Sequence, residues 1–130
     1  MGTRFGVYLP EELDRELEEL MKVLGIDSRS RLVQEALRLF LAEHRWRMGG
    51  YVVGIVGVLY NHDVGDIDAE LTDIQHRYLD IVVSSMHVHL ARDKCLLAIV
   101  VRGDASRVRN LVNELQALKG VKMCRTLLFA

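Results

Sequence analysis

A chain of 130 residues and 14.8 kDa suits one ordinary domain or two very small ones, and excludes a large multidomain enzyme with a deep substrate cleft. Half of the residues are apolar and only one is proline, so the chain can bury a core and is neither disordered nor a low-complexity linker. With 17 Lys and Arg against 18 Asp and Glu the formal net charge is -1, so no global positive field marks nucleic acid or an anionic membrane, and any nucleic-acid contact has to be local.

The longest stretch free of Asp, Glu, Lys and Arg, Met48 to His62, is broken by four glycines and falls short of the ~20 apolar residues that span a bilayer. No transmembrane helix and no membrane partner are expected. No apolar signal segment opens the sequence, and two cysteines make no disulfide framework, so a reducing cytoplasm is the expected location.

From Arg4 to Leu9 the residues alternate, with Phe5, Val7 and Leu9 on one face and Arg4, Gly6 and Tyr8 on the other, which predicts a half-buried strand. Pro10 and the acids Glu11, Glu12 and Asp14 then open a helix carrying Leu13, Leu17, Leu20 and Leu24 at helical spacing, closed by Gly25. Asp27 or Ser28 caps a second helix. Its apolar stripe, Leu32, Val33, Ala36, Leu37, Leu39, Phe40 and Leu41, is wider than one neighbour can cover and asks for a partner chain. This helix is expected to run through His44 and Trp46 to the Met48-Gly49-Gly50 break, which separates a unit 1–48 from a unit 51–130.

The second unit opens with a Val- and Ile-rich strand, Tyr51 to Tyr60, and a turn at Asn61-His62-Asp63-Val64-Gly65. Ile67, Leu71, Ile74, Tyr78, Ile81 and Val82 predict a helix to about Ser84, followed by strands over Met86–Leu90 and Cys95–Val101. A helix after Gly103 and a last strand from Val121 to Phe129 complete a βαββαβ order, the ferredoxin-like arrangement, which looks like an ACT-type regulatory module. Strand, helix, helix in the first unit, with a strand that lacks a partner in its own segment, resembles the ribbon-helix-helix family, whose paired strands enter the DNA major groove. The fold class expected is therefore α+β, a ribbon-helix-helix unit before an ACT-like unit.

His87 and His89 leave the same face of their strand, with Met86, Val88 and Leu90 on the other. Cys95 adds a soft thiolate donor across the hairpin, on the histidine side only if the loop is odd in length or bulged. A metal needs a further ligand, and His76 on the preceding helix is the candidate. Three imidazoles and a thiolate suit square-planar Ni(II) or Cu(II), or Zn(II) if the arrangement is tetrahedral. His62 reads as a solvated turn residue rather than an accessory ligand, and Cys124 as a packed thiol.

Gln75-His76, Tyr78-Leu79-Asp80, Ser84-Ser85 and Met86-His87-Val88-His89, followed by Cys95, resemble the metal-binding core of the nickel-responsive regulators of the NikR family. The resemblance extends over nearly the whole chain. It implies a homotetramer, a dimer of dimers, with one Ni(II) per subunit held in a square plane by His87, His89 and Cys95 of one subunit and His76 of another. It also implies two ribbon-helix-helix dimers gripping a palindromic double-stranded operator, with repression of nickel uptake genes as the output and no enzymatic activity.

The residues matching the family's base readers are Arg4, Gly6 and Tyr8, where Arg with two small hydroxyl residues is usual; Ser28, Arg29 and Ser30 match a phosphate contact at a helix start. A second cation site in some members uses two carboxylates, and the matching positions here are Arg31 and Glu35, so that site is expected to be lost or altered. Rival readings are an ACT-type small-molecule sensor driving a ribbon-helix-helix unit, a nickel-binding protein without operator recognition, and a metal hydrolase. The last lacks an open coordination position and a nearby base.

Overall fold

A computed structural model describes residues 1–130, which divide into two compact units, Met1–Phe40 and Leu41–Ala130.

In the first unit, α1 (Glu11–Leu24) starts after Pro10 with Glu11, Glu12 and Asp14 in its first turn, where the helix dipole favours acids. Gly25 ends it in the left-handed region, φ 69°. Ser28 starts α2 (Arg29–His44), its Oγ accepting from the Arg31 backbone N–H at 3.2 Å. Only Met21, Ile26 and Leu32 form a core, with Leu17 packed against it. Three buried residues are few for an independent domain, and Leu13, Leu20, Val33, Leu37 and Leu39 stay exposed.

The strand expected over Arg4–Leu9 does not form in the single chain: residues 1–9 carry no regular secondary structure and are exposed apart from the half-buried Leu9. The alternation is present, but a lone strand has no ladder to satisfy its backbone N–H and C=O groups.

In the second unit, β1 (Tyr51–Asn61), β2 (Val82–His89), β3 (Lys94–Asp104) and β4 (Val121–Phe129) form one antiparallel sheet in the order β2-β3-β1-β4. The connections through α3 (Ile67–Arg77) and α4 (Ala105–Ala117) make it the expected split βαβ arrangement. Val52, Val56, Val58 and Tyr60 of β1 and Cys95, Leu97, Ile99 and Val101 of β3 face inward onto Ile67, Leu71, Ile74, Val108, Leu111 and Leu115. The other sheet face keeps Val53, Ile55, Met86, Met123, Leu127 and Phe129 exposed.

Two helix ends differ from the sequence reading. The second helix stops at His44, and Arg45–Met48 continue as a 3-10 turn that seats Trp46, 1% exposed, in the second unit's core. The third helix stops at Arg77 instead of near Ser84. Tyr78 and Ile81 do continue its apolar spacing and are buried, but they sit in a turn, and the β-branched run Ile81-Val82-Val83 passes into β2.

Gly54 shows how closely β1 and β4 approach: a Cβ there would lie 2.0 Å from the Leu127 carbonyl oxygen. Because the obstacle is backbone, Gly54→Ala is expected to cost about 1–3 kcal/mol of stability, read as a lowered urea midpoint with an unchanged m-value.

Candidate metal centre

The geometry starts at the β2–β3 hairpin. Leu90 N–H donates to the Lys94 carbonyl at 2.9 Å, so the loop is the three residues Ala91-Arg92-Asp93. That odd length sets His89 opposite Cys95 and His87 opposite Leu97, all on the inner face. At the other end of β2 the pairing slips between Val82 and Ser84. This bulge lets Val82 pack inward after the turn from α3 while His87 and His89 keep the inward register set by the loop.

That turn is fastened to α4. Arg77 donates to Glu114 at 2.7 Å, the Tyr78 hydroxyl donates to the same carboxylate, and Arg107 holds Asp80 at 2.7 and 2.9 Å with its guanidinium 4.4 Å from the Tyr78 ring centroid. Hydrogen bonding from Arg107 lowers the Asp80 carboxyl from its ordinary range, and bonds from Tyr78 and then Arg77 do the same for Glu114.

Cys95 is 1% exposed and its thiol is free. His89 Nδ1 lies 3.5 Å and His62 Nδ1 3.9 Å from its Sγ. The His62 and His89 rings stack at 5.5 Å, 16° from parallel. One donor atom from each of His62, His89 and Cys95 falls within 4.8 Å of the others. Two imidazoles and a thiolate are a donor set for a borderline or soft divalent ion such as Ni(II), Cu(II) or Zn(II), not for Mg(II) or Ca(II).

The placement of His62 corrects the expectation of a solvated turn residue. Its side chain is 26% exposed. Its backbone N–H donates to the Asp93 carbonyl at 3.1 Å, and Asn61 Nδ2 to Asp93 Oδ2 at 3.4 Å, so the turn after β1 is tied to the hairpin loop. Nothing in the residue spacing announces that these two loops are neighbours.

His87, outside this cluster, stacks on Tyr60 at 6.1 Å and borders a shallow hollow with Asp68, Thr72, Gln75 and Ser85. The buried Tyr60 hydroxyl donates to Asp68 at 3.0 Å; burial first, then that bond, pushes the phenol well above its usual range. His76 is exposed near the end of α3, also outside the cluster. Cys124 is half-buried against the core, and burial raises its thiol pKa, as a packed cysteine should behave.

Comparison with known proteins decides the family. Residues 53–129 match the model of the NikR C-terminal nickel-binding domain, and residues 3–44 match the ribbon-helix-helix protein, CopG family, model. The chain belongs to the NikR family of nickel-responsive regulators.

Relatives bearing the name of a nickel-responsive regulator include one from Methanocaldococcus jannaschii, 42% identical over 94% of this chain and 88% of its own. One from Pyrococcus horikoshii is 38% identical over 92% of this chain and 87% of its own. Among solved structures, an uncharacterised protein of Thermotoga maritima matches with TM-score 0.54 at 12% identity, over 63% of this chain and 99% of that one, a likeness of fold alone. A regulator family agrees with the expectation that the chain is not an enzyme.

In the NikR-type N-terminal unit, Arg4, Gly6 and Tyr8 are exposed. Arg29 is about half exposed and pairs with Asp14 at 2.9 Å and with Glu18, while Ser30 Oγ accepts from Gln34 at 3.4 Å. Arg31 Nε lies 3.1 Å from Glu35 Oε1, so the two positions expected to hold a lost or altered cation site form an exposed ion pair.

The hairpin register can be tested directly. Deleting Leu90 while the three-residue loop is kept sets His89 opposite Lys94 and Val88 opposite Cys95, and so turns His87 and His89 to the outer face. The variant is expected to keep a native far-UV circular dichroism spectrum and to lose the sulfur-to-metal charge-transfer band on titration with a thiolate-seeking divalent ion. An unchanged band would contradict the register.

Proposed function

We propose that the protein is a nickel-dependent repressor of nickel uptake genes, and that it binds one Ni(II) per subunit through His87, His89 and Cys95 of one chain and His76 of a partner subunit. The observation that carries this reading is the inward, in-register placement of His89 beside Cys95, with His87 two residues away on the same face. His76 and His87 are both exposed, so a second chain can reach this side. When bound, nickel would supply a link between subunits; it binds best in the arrangement that brings all four donors together, and so shifts the population toward that arrangement. The thiol has to lose its proton and the imidazoles have to be neutral, so affinity rises with pH.

Assembly as a homotetramer, a dimer of dimers, is supported by surfaces that a single chain leaves bare. Residues 1–48 serve as the DNA-binding and dimerisation unit and residues 51–130 as the metal-binding and tetramerising unit. The alternating segment around Phe5 and Val7, both exposed, gains a ladder only by pairing with a second copy. The exposed leucines of α1 and α2 gain cover in the same step. Val53, Ile55, Met123, Leu127 and Phe129 give the sheet a second apolar contact face.

Paired strands would present Arg4, Gly6 and Tyr8 twice, related by two-fold symmetry, to a palindromic double-stranded operator, with Ser28, Arg29 and Ser30 toward the phosphates. Gly6 has no side chain for a base edge and Tyr8 is larger than the hydroxyl residues usual in the family, so the operator differs from one read by Arg with two small hydroxyls.

Selection from a random-sequence duplex library with the nickel-loaded protein tests the reading. A palindromic consensus is expected, bound about 5- to 150-fold more weakly after nickel is removed, with Arg4→Ala losing the sequence preference and Cys95→Ala losing the nickel dependence. Metal-independent binding, or no enriched sequence, would overturn it.

A further inference from the structure

We propose that His62 gives the metal centre a second donor set, complete within one subunit, which captures an ion of tetrahedral preference such as Zn(II) and keeps it from bridging subunits. The inference rests on the nickel reading, because His89 and Cys95 are common to both sets.

The distances carry it. A tetrahedral Zn(II) with ordinary bond lengths sets nitrogen and sulfur donors about 3.5 Å apart, whereas a square plane of the same bonds brings neighbouring donors to about 3.1 Å. Cys95 Sγ stands 3.5 Å from His89 Nδ1 and 3.9 Å from His62 Nδ1, nearer the nitrogen–sulfur spacing of a tetrahedral site than that of a square plane, and all three donors come from one chain.

The surroundings of His62 agree. Asp63 Oδ1 is 3.1 Å from its Nε2. A carboxylate there favours the tautomer with the proton on Nε2, leaving the Nδ1 lone pair toward Cys95, as carboxylates behind metal-bound histidines do. The side chain is also held in place: Asp63 N–H donates to Asn61 Oδ1 at 2.9 Å, shaping the turn, and the His62 ring rests on that of His89. A fourth coordination place falls to solvent.

The two sets exclude each other because they compete for His89 and Cys95. Zn(II) has no d-electron preference for a plane and gains little from recruiting His87 and His76 of the partner subunit. It therefore stays on the local set, engages no second chain, and leaves the subunit arrangement unbiased. Ni(II), which gains from four strong donors in a plane, leaves His62 and takes the shared set. Zinc is thus discriminated by diversion to a silent set instead of by exclusion.

The test uses the metal-free full-length protein, with Co(II) as the spectroscopic stand-in and Zn(II) competed against a chromophoric chelator. Wild type is expected to give intense tetrahedral Co(II) bands with sulfur-to-cobalt charge transfer. His62→Ala, and His62→Asn as a variant that keeps a polar turn residue, are expected to lose those bands and to weaken Zn(II) by about tenfold or more relative to their effect on Ni(II). His76→Ala is expected to show the opposite ratio. Equal Zn(II) affinity in wild type and both His62 variants, or a larger zinc loss in His76→Ala than in His62→Ala, would overturn the proposal. Failure of the nickel reading would show separately, as the absence of a nickel-thiolate spectrum in wild type whatever the cobalt and zinc results.

Discussion

The register of one short edge strand decides what this protein can bind. β2 contacts the sheet only through β3, yet two of its eight residues are His87 and His89, which stand on the same face as a buried thiol. Because side chains alternate, a slip of one residue would replace them with Met86 and Val88 and leave Cys95 facing thioethers and methyls. Three local features hold the register: the three-residue loop at one end, the bulge at Val82–Ser84 at the other, and the fastening of the preceding turn to α4 through Arg77, Arg107, Glu114 and Asp80. All three lie outside the donors themselves. The metal chemistry is therefore a property of the hairpin and its anchors as much as of the ligating residues.

A second constraint is that neither unit is finished as a single chain. The first has a three-residue core and an N-terminal segment with no strand to pair with, and the second shows an apolar sheet face. On the function proposed above, these open surfaces are where a metal shared between two chains would act on subunit arrangement, and through it on the spacing of paired DNA-reading strands. The near-zero net charge is consistent with this division, since affinity for DNA then depends on where a few arginines are presented.

Much of this was legible in the residues. Alternation, turn glycines and helical spacing located nearly every strand and helix, and residue counting put Cys95 on the histidine side only for an odd or bulged loop, which the three-residue loop supplies. Three features were not legible, each for a physical reason. The apolar spacing of Tyr78 and Ile81 fits a helix as well as the turn in which they are buried, because a core contact every three or four residues does not depend on helical backbone. The alternation at Arg4–Leu9 reads as a strand, but the single chain offers it no ladder partner. His62 lies in a turn that one-dimensional spacing leaves solvated, and it meets Cys95 only because β1 pairs with β3 so that Tyr60 stands opposite Cys95 and the next loops touch.

The most direct test of the metal centre is a nickel titration of the purified, metal-free protein followed by its absorption spectrum, with His87→Ala and Cys95→Ala beside it. Saturation near one ion per chain is expected, with thiolate-to-Ni(II) charge transfer and square-planar d–d bands that disappear in both variants. Saturation without a thiolate band, or a band that survives loss of Cys95, would contradict a centre built on the pairing of His89 with Cys95.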